Sequence, residues 1–351
     1  MKIFVTGGAG FIGVNFINLM IEKFDNEIIN IDKLTYAANL SSLNMFKNDK
    51  RYKFYHLDIN NNVEIENVLK SEHPDVVVNF AAESHVDRSI EDPNNFIYTN
   101  VLGTCKLLQS CNNYYFSLND DEQSRFRFLH ISTDEVYGSI TNPLKFTEKT
   151  KYDPSSPYSA SKAASDHFVN AWNKTYGLPT LITNCSNNYG PYQFPEKLIP
   201  LIIHKCINEQ NLPIYGNGLN VRDWIHVYDH CNAIYKVLLN GKIGDTYNIG
   251  GNSEKKNIEI VNEICSIMDQ LKPRNNNLKY KNLISYVDDR PGHDFRYSVD
   301  ITKINKNLNW KPLLSFSQGL MNTVVWYLNN QDWIKSINNG FDTYKRSKEN
   351  K

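Results

Sequence analysis

Thr6-Gly7-Gly8-Ala9-Gly10-Phe11-Ile12-Gly13 is the stretch whose reading decides the fold. It follows Lys2–Thr6 (KIFVT), a short β-branched run that reads as a strand, and it opens a helical pattern from Phe11 to about Phe24. Gly7, Gly10 and Gly13 are three residues apart. Between a strand and a helix, the first permits the tight turn. The second lets a diphosphate approach the backbone with no Cβ in the way, and the third allows close helix–strand packing. The helix N-terminus then offers free N–H groups and a positive dipole end to phosphates. Asp32 follows the next strand-like run, Glu27–Ile31, 19 residues after Gly13. A carboxylate there accepts both ribose hydroxyls of NAD and repels the additional phosphate of NADP. A glycine triplet alone is weak; in this setting, with the acid in place, it specifies a dinucleotide site. Asp58, after a third run at Tyr52–His56, is either an adenine contact or a loop-capping acid.

The same alternation continues along the chain. A helix near Val63–Ser71 is followed by Asp75–Phe80 (DVVVNF), which reads as a strand buried on both faces. A long helix is expected over Asn94–Tyr115, then strands at Phe126–Ile131 and Thr180–Thr183 with a helix between them. Strands alternating with helices predict an α/β fold, a Rossmann-type doubly wound parallel sheet with helices on both faces. After about Asn188 the rhythm breaks, and Pro191, Pro195, Pro200 and Pro213 punctuate shorter elements. The expected organisation is an NAD-binding domain over 1–188, joined by a late strand near 245–249, then a smaller mixed α/β substrate domain over 189–335 and a polar tail over 336–351.

Bulk properties exclude several classes. Lys+Arg and Asp+Glu balance at 38 each, which points to neither a nucleic-acid nor a membrane-surface partner. The six cysteines form no Cys-x-x-Cys pair, so neither a zinc cage nor a disulfide framework is indicated and reduced thiols in the cytoplasm are expected. No apolar run approaches the roughly 18 residues needed to span a bilayer. The apolar start, Met1–Phe16, is interrupted by glycines and has no small-residue cleavage site after it, unlike a signal peptide. His85 and His293 lack a second ligand at metal-site spacing, and no metal is expected.

Two further motifs carry chemistry. Tyr158-Ser159-Ala160-Ser161-Lys162 puts a phenol and an ammonium four apart, on one face of a helix. A free tyrosine is a poor base near neutrality, with a pKa of about 10, and a neighbouring ammonium favours its phenolate. Ser132-Thr133-Asp134-Glu135-Val136-Tyr137-Gly138 leaves the carboxyl end of a strand, where open α/β sheets bind ligands. Loss of water across two neighbouring carbons needs a base for one C–H and an acid for the departing hydroxyl. Two adjacent carboxylates can divide those tasks, because repulsion between them raises the pKa of one.

These motifs, with DKLTY at Asp32–Tyr36, AAESHVDRSI at Ala81–Ile90, NCSNNY at Asn184–Tyr189, FPEKLIP, LPIYG, RDW at Arg222, YNIGG, KKN at Asn257 and DRPGH at Asp289–His293, carry a resemblance. The chain resembles extended short-chain dehydrogenases and, within them, the dTDP-glucose 4,6-dehydratases, from Met1 to about Trp333. The resemblance implies that Tyr158 deprotonates the C4 hydroxyl of the glucose while hydride leaves C4 for NAD. It implies that Glu135 takes the C5 proton, Asp134 protonates the departing C6 hydroxyl, Thr133 bonds the sugar near O4 and Lys162 also holds the nicotinamide ribose. By the same resemblance Phe11, Ile12, Asp32, Lys33, Leu34, Thr35, Asp58, Ile59, Ala81, Ala82, Thr99 and Asn188 surround NAD. Ser84, Asn187, Lys197, Leu198, Pro213, Ile214, Tyr215, Arg222, Asn257, Asp289, Arg290, Pro291, Gly292 and His293 contact the nucleotide sugar. Arginine's planar fork suits a diphosphate, although Arg222 alone reads equally well as a structural ion pair. The family also suggests a homodimer through helices of the sheet domain.

One departure stands out. The segment between Gly138 and Tyr158 is shorter than in some relatives, so lid behaviour is not carried over to it. Among rivals, epimerases share the glycine turn and the Tyr–Lys pair but lack the acidic pair. A UDP-glucose 4,6-dehydratase is the alternative that keeps Asp134-Glu135. A non-catalytic NAD-binding regulator is more remote, because such proteins tend to lose the Tyr or the Lys.

Overall fold

The computed structural model describes residues 1–337 other than Asn142, Asn276 and Arg290. The expected contact at Arg290 and the part of the tail beyond 337 therefore lie outside the described residues. The first half runs β1 (Lys2–Thr6), α1 (Phe11–Phe24), β2 (Glu27–Asp32), β3 (Tyr52–His56), α2 (Asn62–Glu72), β4 (Val76–Asn79), α3 (Val86–Glu91), α4 (Pro93–Phe96), α5 (Thr104–Tyr115), α6 (Asp120–Arg125), β5 (Arg127–Thr133), α7 (Pro157–Tyr176) and β6 (Thr180–Cys185). The second half has shorter pieces: β7 (Asn187–Tyr189), α8 (Leu198–Ile207), β8 (Leu212–Tyr215), β9 (Val221–His226), α9 (Val227–Asn240), β10 (Thr246–Ile249), β11 (Glu254–Lys256), α10 (Asn257–Leu271), β12 (Ile284–Val287), α11 (Thr302–Leu308) and α12 (Phe316–Asn329).

Seven strands form one sheet in the order β10-β6-β5-β4-β1-β2-β3, every neighbour parallel. Strands covered on both faces must be apolar throughout, and Val76, Val77 and Val78 of β4 are all buried. Phe16 and Met20 of α1 pack with Ile234 and Val237 of α9 in one apolar cluster. Leu69 of α2, Leu107 of α5 and Val169 of α7 belong to another. Connections leave β1 toward β2 on one side and, later, β4 on the other, so a crevice opens at the carboxyl ends of β1 and β4, where this fold binds ligands.

Beyond β6 the chain turns through Ser186 into β7, which leaves the main sheet and pairs with β9; β9 in turn pairs with β11. A third core, with Ile203 of α8, Ile264 of α10 and Leu320 of α12, supports these short strands. They stand at the carboxyl edge of the main sheet and wall the crevice.

Three segments differ from the sequence pattern. The helix expected over 94–115 is divided, with Ile97–Gly103 wound as a π-helix between α4 and α5. Such turns recur at functional sites because the wider winding reorients side chains. Here Asn100 donates from Nδ2 to Glu83 O at 3.0 Å and to Ser161 Oγ at 2.8 Å, and its Oδ1 accepts the Glu83 N–H at 2.8 Å. β5 and β6 also run two residues past their apolar runs, pairing Ser132 with Asn184 and Thr133 with Cys185. Ladder bonds are backbone bonds, so polar side chains at the crevice do not end the strand. Among the described residues no helix is long and apolar enough to cross a membrane.

Candidate active site

The β1–α1 turn is built as its glycines demand. Gly7 has φ +70°, and a Cβ there would lie 2.7 Å from Ala81 N. A Cβ on Gly13 would lie 2.4 Å from Gly7 O, so no larger residue fits between helix and turn. Gly10 precedes α1 in an ordinary extended conformation; its freedom is space in front of the helix, not backbone strain. Asp32 closes β2, where Oδ2 accepts Ala9 N–H at 3.0 Å and Oδ1 accepts Leu34 N–H at 2.8 Å. Burial pushes its carboxyl up, and the two N–H groups oppose that shift. Gly7, Gly10, Phe11, Ile12, Gly13, Asp32, Lys33 and Thr35 line one pocket, with Ile59, Ala81, Ala82, Thr99 and Asn188.

Two expected cofactor residues stand apart from that lining. Leu34 sits at φ +56° in the following turn and faces a separate small hollow beside Ser336 and Ile337. Asp58 Oδ1 accepts Asn60 N–H at 2.9 Å and Asn60 Nδ2 at 3.0 Å, the loop-capping arrangement, while Lys33 Nζ stands 3.8 Å from Oδ2. Lys33 Nζ also donates to Thr99 Oγ1 at 2.8 Å.

The same pocket collects Thr133, Asp134, Glu135, Tyr158 and Lys162. Ser156 starts α7 with a capping box to Ser159, and Pro157 takes the first helical position, so Tyr158 and Lys162 sit in the opening turns. Thr133 ends β5 and caps the short turn Asp134–Tyr137, its Oγ1 accepting Glu135 N–H at 3.3 Å. Asp134 is 1% exposed and its Oδ2 has no hydrogen-bond partner. Burial first, then Glu135 and Asp223, push its carboxyl well above the usual range, with Arg222 pulling the other way. A carboxyl raised in this way keeps its proton to higher pH and can act as a proton donor.

Tyr158 departs from expectation. Burial, then Glu135, push its phenol well above the ordinary value, and only the hydrogen bond with Thr133 acts downward. The ammonium does not outweigh desolvation here, because Lys162 is itself buried and donates from Nζ to Ile131 O at 2.8 Å. The positive charge of an oxidised nicotinamide would complete the stabilisation of a phenolate.

Of the expected substrate residues, Ser84, Asn187 and Lys197 line the pocket. Lys197 Nζ donates to Ser84 O at 2.8 Å, and Asn187 Oδ1 is buried without a partner. Leu198 opens α8 beside them. The others lie outside this lining. Pro213, Ile214 and Tyr215 belong to β8, and the Tyr215 ring meets His293 at 6.4 Å. His293 Nδ1 stands 2.6 Å from Asp289 Oδ1, across the turn that holds Pro291 and Gly292. Asn257 begins α10, its N–H donating to Asn220 O at 3.1 Å. Arg222 is buried and caged by carbonyls, donating to Val221 O, Phe295 O and Asp294 O, with its guanidinium 4.2 Å over the Tyr297 ring.

Glu196 also lines the pocket, and motif reading did not single it out. It accepts the Tyr36 hydroxyl at 2.9 Å, stands 3.4 Å from Arg88 Nε, and Arg88 lies 3.5 Å over the Tyr36 ring. The available signal was its place inside FPEKLIP, between Pro195 and Lys197.

Glycine turn, ribose acid, Tyr–Lys pair and acidic pair in one cleft fit a dinucleotide beside a small reacting molecule, and they define an extended short-chain dehydrogenase/reductase. Residues 4–323 match the family model described as GDP-mannose 4,6 dehydratase, and the chain belongs to that family. A dTDP-glucose 4,6-dehydratase of Escherichia coli is 52% identical over 352 residues, covering 97% of each chain. A dTDP-glucose 4,6-dehydratase from Bacillus anthracis, solved in complex with NAD, is 44% identical with a TM-score of 0.84 over 96% of this chain and 99% of that one. The Streptomyces venezuelae dTDP-glucose 4,6-dehydratase, also solved with NAD bound, is 42% identical with a TM-score of 0.87 over 96% of this chain and 100% of that one.

Proposed function

We propose that this chain is an NAD-dependent dTDP-glucose 4,6-dehydratase, a hydro-lyase that converts dTDP-glucose to dTDP-4-keto-6-deoxyglucose and water. One observation carries the reading: Asp134 and Glu135 meet Tyr158 in the pocket that holds the glycine turn. NAD held in this pocket would supply the hydride acceptor for C4 and the hydride donor for C6, and so would be regenerated at each turnover. The chain manages the protons. Tyr158 accepts the O4 proton, with Thr133 bonded to its hydroxyl. The new C4 ketone acidifies C5, and Glu135 takes that proton. Asp134, held neutral by burial, gives its proton to the C6 hydroxyl so that water leaves. Glu135 then returns its proton to C5. Asp32 and the N-terminus of α1 hold the ribose and the diphosphate of NAD, and Lys162 the second ribose. Lys197, Asn187, β8, Asn257, Asp289 and His293 receive the nucleotide sugar, and Arg222 braces the chain just beyond His293 through Asp294 and Phe295.

The organisation follows from this: residues 1–188 with β10 bind NAD, and 189–335 supply the sugar-nucleotide wall. Incubation with dTDP-glucose and UDP-glucose side by side, without added cofactor, tests the reading. Keto-sugar is expected from dTDP-glucose, and faster turnover of UDP-glucose would transfer the assignment to the UDP enzyme.

We further propose a homodimer through α5 and α7. Ile97, Tyr98 and Leu102 are exposed just before α5, and Phe168, Trp172 and Tyr176 form an aromatic ridge along α7 with Phe168 and Tyr176 exposed. Such a patch marks an association surface. Light scattering at micromolar concentration should return twice the chain mass; a single-chain mass would count against the dimer.

A further inference from the structure

Beneath the Tyr158–Lys162 pair lies a buried polar network that the mechanism above does not use. Asp166 follows Lys162 by one turn of α7 and is 0% exposed. Its Oδ2 accepts the Ser132 hydroxyl at 2.8 Å and the Tyr152 hydroxyl at 2.9 Å. Its Oδ1 has no hydrogen-bond partner and lies 3.5 Å from His130 Nε2. Lys162 Nζ stands 3.2 Å from that same His130 nitrogen. Lysine and carboxylate therefore flank one imidazole edge.

The network fixes the tautomer of that imidazole. Ala81 N–H donates to Thr6 Oγ1 at 3.3 Å and the Thr6 hydroxyl donates onward to Asn79 Oδ1 at 2.6 Å, while Ser165 Oγ gives its own proton to Lys162 O at 2.8 Å and so can only accept from His130 Nε2. Asn79 Nδ2 then donates to His130 Nδ1 at 3.1 Å, which leaves the His130 proton on Nε2. An Nε2–H cannot accept from the Lys162 ammonium. It points instead at Ser165 Oγ, 3.1 Å away, and at the open Asp166 Oδ1. His130 thus offers Lys162 no negative charge.

Several of the groups facing this cluster are neutral. Burial pushes the Cys185 thiol, presented from β6, up to about 12, and pushes the Tyr152 and Tyr137 phenols well up. Burial and Lys162 hold His130 well below its ordinary value. Asp166 is the acid that acts on Lys162: burial raises it to about 6, while Lys162, Ser132 and Tyr152 oppose that rise, and the nearby Glu135 carboxylate acts on Cys185 and Tyr158. An ammonium in a buried site needs an anion to remain charged.

We propose that Asp166 is a positioning residue for Lys162, its buried carboxylate acting across the edge of His130 to keep the lysine charged behind Tyr158. The proposal rests on the reading of Tyr158 and Lys162 as the proton-accepting pair. Loss of the charge should let Lys162 give up its proton at lower pH, which moves the basic limb of the dehydration rate downward. On the acidic side Asp166, which is neutral below about 6, adds its own loss of charge to protonation of the Tyr158 phenolate.

Two variants test this. In Asp166→Asn, isotope-labelled lysine side chains followed by NMR, with Lys162 assigned through its loss in Lys162→Met, should show Lys162 titrating lower by about one pH unit or more. The basic limb of the rate should fall with it. An unmoved Lys162 titration overturns the proposal, even if turnover drops. Tyr152→Phe removes one hydroxyl that stabilises the carboxylate and keeps its charge. It should move the acidic limb up and leave the basic limb in place; an unmoved acidic limb also overturns the proposal, and this variant decides the matter if Asp166→Asn does not fold. The lysine titration needs no turnover, so a failed dehydratase assignment would show separately, as an inactive parent enzyme.

Discussion

Glu135→Gln is expected to leave NAD bound and the fold intact while formation of the 4-keto-6-deoxy sugar falls by about 10²- to 10⁴-fold, the usual worth of a positioned general base. The amide matches the carboxylate in size, but it cannot take a proton from C5. Glu135 is only partly buried and its backbone N–H is held by Thr133, so the swap should not disturb the turn that presents it. The readouts are the alkaline absorbance of the keto sugar and deuterium uptake at C5 from heavy water. Both should vanish together. A variant that forms keto sugar at the parental rate would remove Glu135 from its role, and continued C5 exchange would pass that role to another base.

Tyr158→Phe should cut dehydration by a similar factor, about 10²- to 10⁴-fold, by stopping the reaction before any water is lost. The ring should stay seated, since it packs against Phe96 at 6.3 Å in an edge-on arrangement and belongs to a small apolar cluster with Val86. Only the hydroxyl that meets the sugar is lost. The pH dependence of the parent enzyme has a definite sign. The phenol is raised and acts ionised, so the rate should climb with pH on the acidic side, where Asp166, neutral below about 6, must also ionise to hold Lys162 charged. Asp134 is raised too but acts protonated, and Lys162 acts charged, so activity should fall as pH rises and either of them gives up its proton. A bell-shaped profile follows, and the phenylalanine variant should lose its amplitude without a large shift in melting temperature. A Tyr158→Phe enzyme that retains parental turnover would rule out the phenol as the proton acceptor.

The parts of the site legible in the sequence are those whose chemistry is local. Three glycines at fixed spacing, an acid at the end of the second strand, and a Tyr and Lys one helical turn apart each need only their own neighbours to have meaning. Asp134 and Glu135 were legible for the same reason, as adjacent acids leaving a strand. Glu196 and Asp166 were not. Each is an ordinary acid in sequence and gains its role from partners far along the chain: Tyr36 and Arg88 for the first, His130 and Tyr152 for the second. The π-wound stretch at Ile97–Gly103 was hidden because it departs from a helical pattern only in winding, to seat Asn100 against Glu83 and Ser161.

Composition and periodicity determined that this chain forms a parallel sheet wrapped by helices, because burial on two faces demands near-continuous apolar strands. The spacing of the glycines determined that a dinucleotide can lie across its edge. Tertiary structure alone decided the protonation states that make the chemistry possible. Whether a carboxyl is an acid or a base, and whether a phenol or a lysine carries charge, depends on how much water the surrounding elements remove and which distant charges they bring near. The sequence names these groups, and the packing of β5, β6 and α7 sets their charge.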